Sequence, residues 1–141
     1  MSTRTQITVE GQTVKLYCHH DGYPEGILPD LLPFVSWFIK ECGFQEDYMM
    51  ARLTQRMTGD DKGVLSFGLD TEWHGDLEWA YVIRRDGSVD VYRVGDRYVN
   101  YLSNQGFDGR SDDDTDLRVK KILSIPLGTP FEEALEMIEI F

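Results

Sequence analysis

Between Leu31 and Met57 the apolar residues recur at helical spacing, whereas the segments before it and, up to Val94, after it carry strand patterns. A chain patterned this way places strands on both sides of an inserted helical pair, because each period buries one face of only one kind of element. The leading segment "TQITVEGQTVKLYC" alternates Ile7 and Val9, breaks at Glu10, Gly11 and Gln12, and resumes with Val14, Leu16 and Cys18. That is a hairpin pattern. In "PDLLPFVSWFIKECG", Asp30 suits an N-cap, Pro33 falls in the first turn and Gly43 suits a stop, which predicts a helix from about Leu31 to Cys42. Its apolar residues cover most of the circumference, so it should be buried on more than one side. In "QEDYMMARLTQRMTG", Glu46 and Asp47 favour a helix start, while Met49, Met50, Leu53 and Met57 form a core stripe.

Three strands should follow, "VLSFGLD", "LEWAYVIRR" and "SVDVYRV". Asp86-Gly87 joins the last two and predicts a two-residue type I′ turn. That turn sets Arg84 opposite Val89, Val82 opposite Val91 and Tyr81 opposite Tyr92. Ala80, Val82, Val89 and Val91 then share one face, and Trp79, Tyr81, Ile83 and Tyr92 the other. With both faces apolar, either a third helix or a second copy of the chain, as a homo-oligomer, should cover the second one. The stretch "SNQGFDGRSDDDTD", Ser103 to Asp116, reads as a flexible acidic loop. "LRVKKILSIPLG" reads as a short edge segment. "TPFEEALEMIEIF" carries Thr129 and Glu132 in capping-box relation, Pro130 at the first helical position, and a stripe of Phe131, Leu135 and Ile138. The expected fold is one α+β domain over residues 1–141. It has a mainly antiparallel sheet of about five strands, a helical hairpin inserted after strand 2, and a C-terminal helix.

Charge narrows the functional classes. With 25 acidic and 14 basic residues the net charge is −11, which repels phosphate backbones and argues against direct nucleic-acid binding. No apolar run approaches the ~20 residues that span a bilayer, and "MSTRTQITVE" lacks a secretory apolar core, so a cytoplasmic location without membrane contact is expected. Cys18 and Cys42 form no CxxC pair and read as reduced core residues.

The densest polar motif is "YCHHDGYPEG", with His19, His20, Asp21, Tyr23 and Glu25. As a turn it is well formed: Asp21 for an Asx-turn, Gly22 for positive φ, and Pro24 to hold Tyr23 extended. As a binding site, it should be joined by Arg84 and Arg85, which an out-and-back helix pair would bring to the same end of the sheet. Asp21 or Glu25 would then face a guanidinium. His74 should emerge at the opposite end, on the order of 20 Å away for a six-residue strand. It therefore should not share a metal with His19, and no metal or other cofactor is expected. The loop "DTEWHGDLEW" offers a second candidate site in Trp73, His74 and Asp76, where exposed Trp73 and Trp79 would suit stacking.

At "YCHHDGYPEGILPDLLPFV" the chain resembles a loose set of uncharacterised small proteins of phages, prophages and bacteria. They share a strand ending in His-x-Asp-Gly-Tyr-Pro that runs into an apolar helix. His19, Asp21, Gly22, Tyr23 and Pro24 fit that pattern, and the likeness extends to the later W-x-Y strand. The resemblance implies a phage or mobile-element origin and no particular activity. Without a nucleophile elbow, a phosphate-cradling loop or HExxH, the leading expectation is a non-enzymatic binding protein. It would be an accessory or counter-defence factor engaging a host protein or a small molecule. Two alternatives stand beside it. One is a small enzyme pairing His19 or His20 with Asp21 or Glu25 as acid and base. The other is an acidic DNA mimic acting through Asp112 to Asp114.

Overall fold

The computed structural model describes residues 3–59, 65–74, 77–94 and 119–139. Strands β1 (Thr5–Val9) and β2 (Lys15–Cys18) form the expected hairpin, with Ile7 opposite Leu16. Helices α1 (Pro24–Cys42) and α2 (Glu46–Thr58) follow. The chain continues through β3 (Phe67–Asp70), β4 (Trp79–Ile83), β5 (Val89–Val94), β6 (Val119–Ile125) and α3 (Phe131–Glu139). The fold is α+β, with one six-stranded sheet in the order β3-β2-β1-β4-β5-β6. Every neighbouring pair is antiparallel except β1 with β4. The acidic stretch Ser103–Asp116 lies outside the described residues.

One face of the sheet meets all three helices of the described residues. Ile7, Leu16, Tyr81, Ile83 and Val91 pack there with Leu31 and Val35 of α1, Leu53 of α2 and Ala134 of α3. Full burial of each large aliphatic side chain contributes about 1.5–3 kcal/mol. The Met stripe of α2 is buried as its spacing predicts. The terminal helix thus shares this face, which overturns the expectation of a third helix over the opposite one. Helix α1 begins seven residues before Leu31, with Pro24 in its first turn and Pro29 and Pro33 inside it. Two interior prolines should discourage a helix, each removing a donor. Burial of Ile27, Leu28, Leu31 and Leu32 outweighs that loss. At the other end Cys42 is exposed, unlike Cys18. Before α3, the Thr129 N–H and hydroxyl both donate to the Pro126 carbonyl, at 3.2 and 2.7 Å.

Two corrections reshape the second face. The β4–β5 turn spans three residues, with Gly87 at φ 84° and the Gly87 N–H bonded to the Arg84 carbonyl. Ile83 therefore pairs with Val89, Val82 with Asp90 and Ala80 with Tyr92. One residue of slip turns all of β5 over, because side chains alternate strictly along a strand. Val89 and Val91 join the helical face, while Tyr92, Asp90 and Arg84 share the second one with Ala80 and Val82.

The second correction concerns direction. β3 starts at Phe67 opposite Cys18 and ends at Asp70 opposite Lys15, as an out-and-back helix pair requires. β4, however, starts at Trp79 opposite Thr5, back at the Cys18 end. The segment between β3 and β4 must therefore cross the second face as a strap. Trp73 and Leu77 of that strap bury against Ala80, Val82, Tyr92 and Val94. The apolar second face, which argued for a third helix or a second copy, is in this region closed by the chain itself. β4 consequently runs away from the HHDGYP motif, and its turn with β5 lies at the far end.

Candidate functional site

The motif leaves β2 at Cys18 and turns sharply into α1. Asp21 takes the left-handed conformation, φ 56°, a position that short polar side chains tolerate better than most. Gly22 is not the left-handed residue. Its role is close approach: a Cβ there would lie 2.7 Å from the Thr3 carbonyl oxygen and 2.8 Å from Thr5 Cβ. The Gly22 N–H donates to that Thr3 carbonyl at 2.9 Å, and its own carbonyl accepts from buried Tyr81 Oη at 2.8 Å. Tyr23 is extended, φ −71° and ψ 162°, as Pro24 demands. Its hydroxyl donates to Asp21 Oδ1 at 3.1 Å. That bond, and then the Asp21 charge, raises the Tyr23 pKa. Burial, followed by the Glu25 charge, pushes the Tyr81 phenol well above its ordinary value.

The motif is divided between two sides. His20, Asp21 and Tyr23 line a cavity of about 360 Å³ together with Asp30, Met57 and Phe67. It adjoins a wider groove of about 800 Å³ between α1 and α2, and Asp30 and Met57 border both. Trp37, Phe34, Arg52, Gln55 and Arg56 line the groove. Exposed Glu25 stands in the first turn of α1. His19 turns to the second face, where its Nδ1 lies 2.7 Å from Tyr17 Oη. His20 meets it edge-on, with ring centroids 4.6 Å apart.

Neither arginine joins this site. Arg84 Nε lies 2.5 Å from Asp90 Oδ2, in a pair that is nearly buried, and its Nη2 donates to Tyr92 Oη at 2.8 Å. Arg85 Nε lies 3.2 Å from Glu10 Oε2, and its Nη2 3.9 Å from Glu46. Both stand at the end opposite the motif, so the expected clamp of Asp21 or Glu25 on a guanidinium does not form. The crossing strap is the cause, since it makes β4 run parallel to β1.

The same strap corrects the second candidate site. His74 does not sit at a far rim. Its ring stacks on Tyr17 at 4.4 Å, and Tyr17 lies 5.9 Å from the His19 ring, which caps the separation of the two histidines at about 10 Å. Tyr17 stands between them, and among the described residues no group of three or more His, Cys, Asp or Glu could hold a metal. His74 Nε2 lies 3.1 Å from Asp70 Oδ2. The backbone N–H of Glu72, then that of Thr71 and the His74 ring, hold the Asp70 carboxyl below its ordinary range. Trp73 is only 4 % exposed, and Lys15 Nζ lies 4.9 Å from its ring centroid, so it is a packing residue and not a stacking platform. Trp79 is half-buried beneath the Arg93 guanidinium. Asp76 lies outside the described residues.

Sequence reasoning missed the residues that fasten the strap. Fully buried Gln6 donates through Nε2 to the Glu72 carbonyl and accepts through Oε1 from the His74 N–H. Lys15 Nζ donates to the carbonyls of Thr13 and Thr71. Burial lowers the Lys15 pKa, while the charges of Glu72 and Asp70 oppose the shift. Gln6, Lys15 and Tyr17 read as the solvent side of two alternating strands, and nothing local marks them as covered. Arg52 and Arg56 were legible as a pair one turn apart, flanking the Met stripe of α2. Comparison of the chain with protein-family models, curated proteins and solved structures finds no match. Among the described residues no helix is long and apolar enough to cross a membrane.

Proposed function

We propose that this chain is a non-enzymatic binding protein that engages a partner through the motif end of its sheet. The observation that carries the reading is the shared border of the two cavities at Asp30 and Met57. The two adjoining cavities extend from Tyr23 to Trp37, with aromatic and aliphatic walls and a few polar groups, the composition of a recognition site. Exposed Trp and Arg side chains are the types that dominate binding energy. The acid–base alternative loses its first candidate, because His19 faces Tyr17 on the other side of the sheet. The DNA-mimic alternative rests on Asp112 to Asp114, which lie outside the described residues.

The biological setting proposed is the cytoplasm of a phage- or mobile-element-carrying cell, with a host protein as partner. The resemblance at Tyr17 to Val35 and the acidic composition support that setting. The test is capture from host lysate by the tagged chain, beside Tyr23→Ala and Asp21→Asn variants whose circular dichroism matches the parent. Loss of a captured band in the variants supports the reading. Identical capture by parent and variants, or hydrolytic turnover abolished by His20→Ala, overturns it.

A further inference from the structure

The two adjoining cavities are polar in an ordered way. At the motif end stands Asp21, at the junction of the two cavities the Asp30–Arg56 pair, and one turn further out along α2 stands Arg52. On either side of that pair the walls are apolar, with Ile27 and Phe67 on the motif side and Phe34 and Trp37 on the outer side. Trp37 is 53 % exposed, a large apolar surface left open at the lip. Arg56 and Asp30 are 3.9 Å apart and about half exposed, a loose pair that contributes little by itself and can exchange partners. Arg52 Nη1 donates to Gln55 Oε1 at 2.8 Å, which holds its fork over the groove. In a chain of net charge −11, two guanidinium groups on one groove wall are a local exception to the prevailing field.

We propose that this trough docks an extended peptide segment of a partner protein. The peptide carries a basic side chain toward Asp21, apolar side chains over Phe34 and Trp37, and a carboxylate on Arg52, and it crosses the Asp30–Arg56 pair between them. The inference rests on the binding-protein reading and names its partner class. Charge complementarity selects the occupant: a uniformly acidic segment meets Asp21 at one end, and a uniformly basic one meets Arg52 at the other. Length agrees. From Asp30 to Trp37 α1 rises ~10 Å at 1.5 Å per residue, and the motif cavity extends the trough beyond Asp30. At ~3.3 Å per extended residue, about five residues fill it.

The test uses fluorescein-labelled hexapeptides read by fluorescence anisotropy on the full chain. The panel holds a bipolar peptide with lysine at one end, glutamate at the other and leucine and phenylalanine between, in both chain directions, with all-basic, all-acidic and uncharged counterparts. One bipolar direction should bind most tightly. Arg52→Glu should weaken it by at least about fivefold and strengthen the all-basic peptide, because the trough is then acidic at both ends. Asp21→Asn, which keeps a residue tolerant of the left-handed backbone, should weaken the bipolar peptide and leave the all-acidic one no weaker. Both side chains are exposed, so folding is preserved. Equal affinity across the panel, no saturable binding, or an equal effect of Arg52→Glu on every peptide overturns the proposal. If captured partner still depends on Tyr23 while no peptide binds, the peptide class fails and the binding-protein reading stands. If capture ignores Tyr23, that reading fails instead.

Discussion

Replacing Asp90 by alanine tests the register that places it on the second face. Asp90 is 3 % exposed, accepts from Arg84 Nε at 2.5 Å and is also bonded by the Ser124 hydroxyl. The alanine variant leaves the Arg84 guanidinium, whose side chain is 10 % exposed, without that carboxylate. Breaking a buried pair from one side costs about 3–5 kcal/mol, because the surviving charge has been removed from water. With a slope of about 2 kcal/mol per molar urea for a small domain, the unfolding midpoint should fall by about 1.5–2.5 M. The double variant Arg84→Met/Asp90→Leu removes both charges and should recover most of that loss, since two apolar side chains of similar volume fill the site without desolvating an ion. Tyr92 then lacks the Arg84 donor, a residual cost of about 1 kcal/mol. Urea melts followed by circular dichroism measure all three proteins. A drop below about 0.5 M for Asp90→Ala, or a double variant no more stable than the single one, would refute the claim that this pair is buried and mutually dependent. The network lies at the end away from the motif, so the folded double variant should retain partner capture.

Gln6→Leu removes both of the bonds Gln6 makes to the strap, leaving a carbonyl and an N–H unpaired, and should destabilise by about 1–3 kcal/mol; a shift of Trp73 emission to longer wavelength in native buffer would show that the strap lifts first, and an unchanged spectrum with unchanged stability would contradict the clamp. Alkaline titration gives a third check. Tyr23 and Tyr81 both have raised pKa values, the first through the Asp21 bond and the second through burial. The folded state therefore favours their neutral forms. That contribution is full below the ordinary phenol pKa near 10 and is lost as pH rises through the higher folded values. Absorbance at 295 nm should show a late tyrosine step that coincides with unfolding and that Tyr81→Phe removes. A titration in which every tyrosine ionises near 10 while circular dichroism stays native would refute the Tyr81–Gly22 bond.

Much of the architecture was legible in the chain because it follows from short-range periodicity. The alternation at Ile7, Val9, Leu16 and Cys18 gave a hairpin, and the Met49–Leu53–Met57 stripe gave a buried helical face. The bend at Asp21-Gly22-Tyr23-Pro24 was legible too, although the left-handed residue is Asp21 and Gly22 is small because Thr3 and Thr5 leave no space. The candidate site was legible in part. His20, Asp21 and Tyr23 share one cavity, whereas His19, Arg84 and Arg85 stand elsewhere.

The sequence by itself determined which segments become strands and helices, because side-chain period and backbone stereochemistry act within a few residues. Tertiary structure alone decided the direction of β4, the face of β5 and the company of each polar side chain. A three-residue turn in place of a two-residue one inverts a whole strand, and a strap across the sheet exchanges one end for the other. Neither alternative leaves a local trace. What separates them is the burial of Trp73, Leu77 and Gln6, side chains that meet the rest of the sheet only once the chain has closed on itself.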